Sequence, residues 1–266
     1  MSALYRARPD HGVAWVTGAS SGIGRATALE LARRGFTVLA TARTQTTLDE
    51  LVAEAKGLTG RIIARAVDVI DAEAQNSVIA DVEAQHGPIV LAFLNAGVYW
   101  PMRAHPFDGA AFMRIFDVNV GGVVNGLSAI LPRMVERRRG QIAINASVAG
   151  FGGLPRAAAY SGSKAALIVM AESLKLDTDA LGLKLQLVNP GFVKTPLTDK
   201  NDHPMPFLME LDEAARCICN GFESGDFEIT FPWQLARILK TLRLLPYRAY
   251  FWLIRKATSW PPEAQK

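Results

Sequence analysis

Residues 13–43 read VAWVTGASSGIGRATALELARRGFTVLATAR. The run VAWV is short and apolar, as a buried strand requires, and the glycines at Gly18, Gly22 and Gly24 break it. From Ile23 to Arg34 apolar residues recur at helical spacing, and FTVLATA then restores a strand pattern. Strand, glycine turn, helix and strand in this order form a βαβ unit, whose parallel strands need cover on both faces. The same rhythm continues through IIARAVDV (62–69), VLAFLNAG (90–97), GQIAINAS (140–147) and LKLQLVNPG (183–191). Helices are expected over Thr47 to Lys56, Glu73 to His86, Asp108 to Arg137, Arg156 to Ala180 and Leu211 to Glu223. The fold class expected is α/β: one doubly wound domain over 1–266 with a parallel sheet. Its core runs from about 11 to 230, and a C-terminal amphipathic helical extension from about 231 to 266.

Half of the 266 residues are hydrophobic and a fifth are charged, which suits a sizeable buried core and excludes a disordered chain. The formal charge is +4, with bases gathered in runs such as Arg133, Arg137, Arg138 and Arg139. Without a nucleic-acid motif, that run reads as a solvated helix end, and no nucleic-acid partner is expected. Cys217 and Cys219 stand two positions apart on an expected helix and so point in different directions, which suits neither a disulfide nor zinc. His11, His86, His105 and His203 are scattered without ligand spacing, so no metal is expected. Met1 to Asp10 hold no apolar run of the signal-peptide kind, and no uninterrupted apolar stretch reaches the ~18 residues of a spanning helix. The expected location is cytoplasmic.

Two stretches break the βα rhythm. After Val193, Pro196, Pro204 and Pro206 mark a loop or lid beside the expected site, whose residues are expected to help choose the substrate. From Pro232 to Trp260, Trp233, Tyr247, Tyr250, Phe251, Trp252 and Trp260 mix with Arg237, Lys240, Arg243, Arg248, Arg255 and Lys256. This segment suits a peripheral membrane contact or a partner; the simpler expectation is an apolar face that covers its own domain or a second subunit.

Between the first strand and the first helix lies Thr17 to Gly24, TGASSGIG. Glycines there let the backbone turn and approach phosphates, and the amides and dipole of the helix start attract their charge. Gly18, Ser20, Ser21, Gly22, Ile23 and Gly24 are therefore candidate dinucleotide-binding residues. At the end of the second strand an acid would serve a ribose 2′-hydroxyl, whereas Ala42 is followed by Arg43. A guanidinium makes two parallel hydrogen bonds to a 2′-phosphate, so NADP(H) is favoured over NAD(H).

Tyr160 and Lys164 share one helix face, four residues apart, and Ser147 lies thirteen positions before Tyr160. With the glycine loop, Asn95-Ala96-Gly97 and Asn119, they make the chain resemble the short-chain dehydrogenase/reductase family over about Val13 to Thr195. Asp68-Val69 and Pro190-Gly191 fall in that family's order as well. The resemblance implies a Rossmann-type fold, with Asp68 and Val69 at the adenine and Asn95, Ala96 and Gly97 along the middle of the cofactor. It also implies Pro190, Gly191, Val193 and Thr195 at the nicotinamide, and Asn119 in a helix bent around a water of a proton relay. Leu94 departs from the pattern, standing where many relatives have a second Asn. A homodimer or homotetramer, paired through the helices at 108–137 and 156–180, is implied in the same way.

The chemistry also follows from the residues themselves. Hydride arriving at a carbonyl carbon builds negative charge on oxygen, which needs a donor and then a proton. Ser147 suits the first role and Tyr160 the second, while Lys164 is expected to lower the phenol's pKa from near ~10 and to hold the nicotinamide ribose. Ser147, Tyr160, Lys164 and Asn119 form the expected catalytic group of an oxidoreductase acting on carbonyls and secondary alcohols. The alternative is an NADP(H)-binding redox sensor or scaffold without turnover, against which the intact catalytic group speaks. An extended-branch epimerase or dehydratase ranks lower, because its glycine spacing and C-terminal part fit poorly. Phe151, Leu154, Phe192, Phe207 and Leu208 are expected near the pocket and suggest an apolar small-molecule substrate.

Overall fold

The computed structural model describes residues 5–198, 204–258 and 260. His203, residues 1–4 and the part of the expected extension beyond 260 lie outside the described residues. Seven strands, β1 (Val13–Thr17), β2 (Thr37–Ala42), β3 (Arg61–Ala66), β4 (Ile89–Leu94), β5 (Gln141–Asn145), β6 (Lys184–Pro190) and β7 (Glu228–Phe231), form one parallel sheet in the order β3-β2-β1-β4-β5-β6-β7. The order reverses between β1 and β4, and such a switch point opens a crevice at the carboxyl ends of the strands.

Alternation along the strands divides the core into two layers. Ala14, Val16, Val38, Ala40, Leu91 and Phe93 pack on one face, under α1 (Gly22–Arg33), α2 (Gln45–Glu54) and α7 (Leu211–Glu223). Trp15, Leu39, Ala92, Leu94, Ile142 and Ile144 pack on the other, under α3 (Ala72–His86), α5 (Gly122–Arg137) and α6 (Ala158–Ala180). Trp15 is fully buried, and its indole N–H donates to Thr41 Oγ1 at 3.0 Å, so the burial leaves no unmet donor. Arg34 ties α7 to α1 by donating to Glu223 at 3.0 Å and to Asn220 at 2.7 Å.

Three differences from the sequence reading stand out. The helix expected over 108–137 is α4 (Gly109–Phe116), a π-helical turn at Asp117–Gly121, and then α5. By length and composition this run could cross a membrane, yet in the fold it packs against α3, α6 and β4. Next, β7 was not anticipated: its four residues alternate in burial and stop at Pro232, too short a pattern to read before its neighbour β6 is placed. Finally, the extension is two eleven-residue helices, α8 (Trp233–Arg243) and α9 (Tyr247–Ala257), with Leu235, Ala236, Tyr250 and Ile254 buried.

Candidate active site

A cavity of about 990 Å³ opens at the carboxyl ends of the strands, at the switch point. Gly18, Ser20, Ser21, Gly22, Ile23 and Gly24 line one wall, on the β1–α1 turn. Two of these glycines sit at positive φ, Gly18 at +67° and Gly22 at +55°, which a side chain would oppose. A Cβ on Gly24 would lie 2.3 Å from the Gly18 carbonyl oxygen and 2.5 Å from Asn95 Nδ2, so the helix start can approach the turn only without one. Ser21, the N-cap of α1, forms no side-chain cap bond, which leaves the first amides of the helix for an anion.

Arg43 follows β2, Asp68 and Val69 follow β3, and Asn95, Ala96 and Gly97 follow β4; all line the same cavity. Arg43 is exposed, and among the described residues no carboxylate pairs with it. Thr17 anchors the turn after β4. Its Oγ1 accepts from the amides of Asn95 at 2.9 Å and Ala96 at 3.0 Å, and its carbonyl accepts from Asn95 Nδ2 at 2.9 Å.

The opposite end of the cavity holds Ser147, just after β5, with Tyr160 and Lys164 on α6 and Pro190, Gly191, Val193 and Thr195 after β6. The Ser147 hydroxyl accepts from Ala149 N at 3.1 Å and so caps a short helical turn at Val148–Gly150. The Tyr160 ring meets Tyr99 edge-on at 5.2 Å between centroids. Lys164 is buried, and its ammonium donates to the Asn145 carbonyl at 2.7 Å and lies 5.7 Å from the centre of the Tyr160 ring.

The electrostatics differ from the sequence expectation. Burial pushes the Tyr160 phenol up to about 12, against a hydrogen bond from Ser147 that lowers it, and Tyr99 raises it further. Burial also brings Lys164 down to about 7. Burial disfavours the charged form of Lys164, so the lysine does not offset the upward shift of the phenol.

Asn119 sits apart from the cavity lining. Within the π-helical turn, its Oδ1 accepts from Val98 N at 2.7 Å, while Nδ2 donates to Val98 O at 3.1 Å and to Ser163 Oγ at 3.0 Å. It therefore holds the chain just after Gly97 and reaches the reacting end through other residues. Of the expected pocket residues, Leu154, Phe192 and Phe207 line the cavity. Phe151 instead packs against Val148, Leu235 and Ala236, and Leu208 is exposed outside the lining.

Several lining residues were not legible in the sequence. Asn145 reads in the sequence as part of a strand, yet its Nδ2 donates to Asn95 Oδ1 at 2.9 Å and its carbonyl holds Lys164. Its Oδ1 is buried without a protein partner, a free acceptor at the cavity. Leu235, Ile238, Leu239 and Leu242 of α8 and Ile254 of α9 form an apolar wall. Tyr250 of α9 fastens that wall by donating to the Gly153 carbonyl at 2.7 Å. Arg156 and Phe207, both on the lining, adopt left-handed backbone at φ +61° and +59°, strain of the kind that gathers at functional sites.

Fold and cavity define an α/β protein with a glycine turn at one end of a crevice and a serine, a tyrosine and a lysine at the other. Residues 12–205 match the short chain dehydrogenase family, and the chain belongs to the short-chain dehydrogenase/reductase family. An uncharacterized oxidoreductase of Myxococcus xanthus is 43% identical over 233 residues, covering 88% of this chain and 92% of that one. A 3-oxoacyl-(acyl-carrier-protein) reductase of Thermotoga maritima is 34% identical over 188 residues, covering 71% and 76%. A short-chain dehydrogenase from Streptomyces avermitilis superposes with a TM-score of 0.78 at 28% identity, covering 92% and 96%. The family comprises oxidoreductases that bind NAD(P)(H) and act on alcohol and carbonyl groups.

Proposed function

We propose that the protein is an NADP(H)-preferring reductase or dehydrogenase of apolar ketones, aldehydes or secondary alcohols, with Tyr160 as its general acid and base. The observation that carries this reading is the meeting of Ser147, Tyr160 and Lys164 in one cavity whose far wall is the Gly18–Gly24 turn. The positive-φ glycines, the uncapped start of α1 and the unpartnered Asn145 Oδ1 suit a phosphate-bearing, hydrogen-bonding ligand. Arg43, exposed and without a carboxylate among the described residues, supports the 2′-phosphate form. The bound cofactor supplies or accepts the hydride.

The remaining steps belong to the chain. The turn at Gly18–Gly24 and the amides of α1 receive the phosphates, and Asp68 with Val69 borders the adenine. Ser147 donates to the substrate oxygen, and Tyr160 delivers its proton there in reduction and recovers it in oxidation. Lys164, tethered to the Asn145 carbonyl, holds the ribose and, in its charged form, supports the phenolate. Asn119 acts as a positioning residue through Val98 and Ser163. The protein works in the cytoplasm as a homodimer or homotetramer joined through α5 and α6, between which Val124, Leu131 and Met170 leave an apolar groove.

The test follows NADPH and NADH oxidation by absorbance over a panel of carbonyls, with wild type, Tyr160→Phe and Arg43→Glu. NADPH is expected to be preferred. Tyr160→Phe should lose about 10²–10⁴ in kcat with NADPH affinity kept. Arg43→Glu should weaken NADPH by about tenfold more than NADH. Retained turnover in Tyr160→Phe overturns the catalytic reading, and equal losses of both cofactors in Arg43→Glu overturn the preference. Tight NADPH binding with no turnover on any carbonyl favours the sensor.

A further inference from the structure

The outer surface of α8 and α9 combines two features that a protein surface in water keeps apart. Large apolar side chains lie open to solvent on it: Trp233 is 58% exposed, Phe251 56%, Trp252 61% and Leu244 85%. Exposed apolar groups in such density mark a contact surface. The same segment carries six bases and, from residue 229 to 260, no acid. Only Lys240 has a carboxylate partner among the described residues, Glu228. Arg237 lies over Trp233, Arg243 over Tyr247 and Lys256 over Trp252, each one helical turn apart.

These features select the occupant. A symmetric contact with a second copy would set this basic surface against itself, six bases facing six, which like-charge repulsion opposes. An anionic lipid surface satisfies both halves of the pattern: headgroup phosphates meet the bases, and the indole and phenyl rings settle at the boundary with the acyl chains. We propose that α8 and α9 dock the protein on anionic membranes, lying in the plane of the interface. Ile238, 48% exposed and also on the cavity lining, joins the docking surface to the active-site cavity. The buried sides of both helices, with Leu235, Ala236, Tyr250 and Ile254, stay on the protein.

The docking can be tested apart from the reaction, by sedimenting the full chain with vesicles of phosphatidylcholine alone or mixed with phosphatidylglycerol. Pelleting is expected with the mixed vesicles only and should weaken as salt rises from about 0.1 to about 1 M. Arg248→Glu with Arg255→Glu should lower the partition coefficient by more than about tenfold, since each base near an anionic surface is worth about fivefold. Phe251→Ala with Trp252→Ala should also lower it, and NADPH binding in both double variants should match wild type and show that they are folded. Protein left in the supernatant at every lipid concentration overturns the proposal and makes an acidic protein the better occupant. Equal pelleting with neutral vesicles, or pelleting unchanged by the charge reversals, overturns it as well.

Discussion

From the glycine turn to the reacting end of the cavity, Thr17, Asn95, Asn145 and Lys164 are joined in series by hydrogen bonds of 2.7 to 2.9 Å. On the side built by the C-terminal helices, Leu235, Leu239 and Ile254 are held by apolar packing, with Tyr250 donating to Gly153 as a fastening. The two walls answer to different physics. Hydrogen bonds fix angles and distances, so the first wall accepts few residues at each position. Apolar packing constrains mainly volume, so the second tolerates exchange at a cost near the transfer free energy of the atoms lost.

Substitutions on each wall put this contrast at risk, beginning with the largest effect. Gly24→Ala places a Cβ 2.3 Å from the Gly18 oxygen, where the neighbour is backbone and cannot turn away. It should cost about 2–3 kcal/mol, read as an NADPH Kd raised roughly 30- to 150-fold or an equivalent loss of unfolding free energy. Wild-type affinity and stability in this variant would show that the turn is softer than its geometry implies.

The seam between the walls is tested by pH. Burial brings Lys164 down to about 7 from 10.5, so between these values the unfolded chain holds a proton that the folded chain has released. Stability should therefore rise with pH from about 7 to about 9, by at most about 1.4 kcal/mol per unit for this lysine. Above about 9 the rise should level off, and above about 10 it should turn, because Cys217, Cys219 and then Tyr160 keep their protons in the fold while the unfolded groups ionise. Urea unfolding of wild type and Lys164→Met across this range reads the effect. Lys164→Met should flatten the rise, leaving the smaller part due to Lys184, which burial lowers to about 8. Parallel curves for the two proteins would place the rise elsewhere.

The smallest effect belongs to the apolar wall. Leu239→Ala removes half-buried atoms beside Val148 and Phe192 and should cost about 1 kcal/mol, seen as a several-fold rise in KM for an apolar carbonyl with NADPH affinity unchanged. A loss of NADPH binding to match that of Gly24→Ala would erase the distinction between the walls.

The same contrast explains what could be read before the fold was in view. The glycine turn, Asn95-Ala96-Gly97 and the spacing of Ser147, Tyr160 and Lys164 announce themselves because each position demands one residue type, and all of them line the cavity. Six of the seven strands showed as apolar runs, whereas β7, four residues long and partly exposed, offered no comparable signal. Leu239, Leu242 and Ile254 read as ordinary amphipathic helix residues, and only the tertiary fold brings them to the cavity. Asn145 was hidden for another reason: its contribution is partly through its backbone carbonyl, which no residue type reports. The phenol's upward shift is not legible in spacing because its cause is burial, which only the fold reveals.

The bond from Tyr250 to Gly153 spans 97 positions of the chain. On a ribosome that makes the chain from Met1 onward, the glycine turn and the Ser147, Tyr160 and Lys164 group emerge well before the helix that closes the apolar wall. On the reading proposed above, a recombination that exchanged only the last stretch of the gene would keep the glycine turn and the Ser147, Tyr160 and Lys164 group while replacing the apolar wall of α8 and α9.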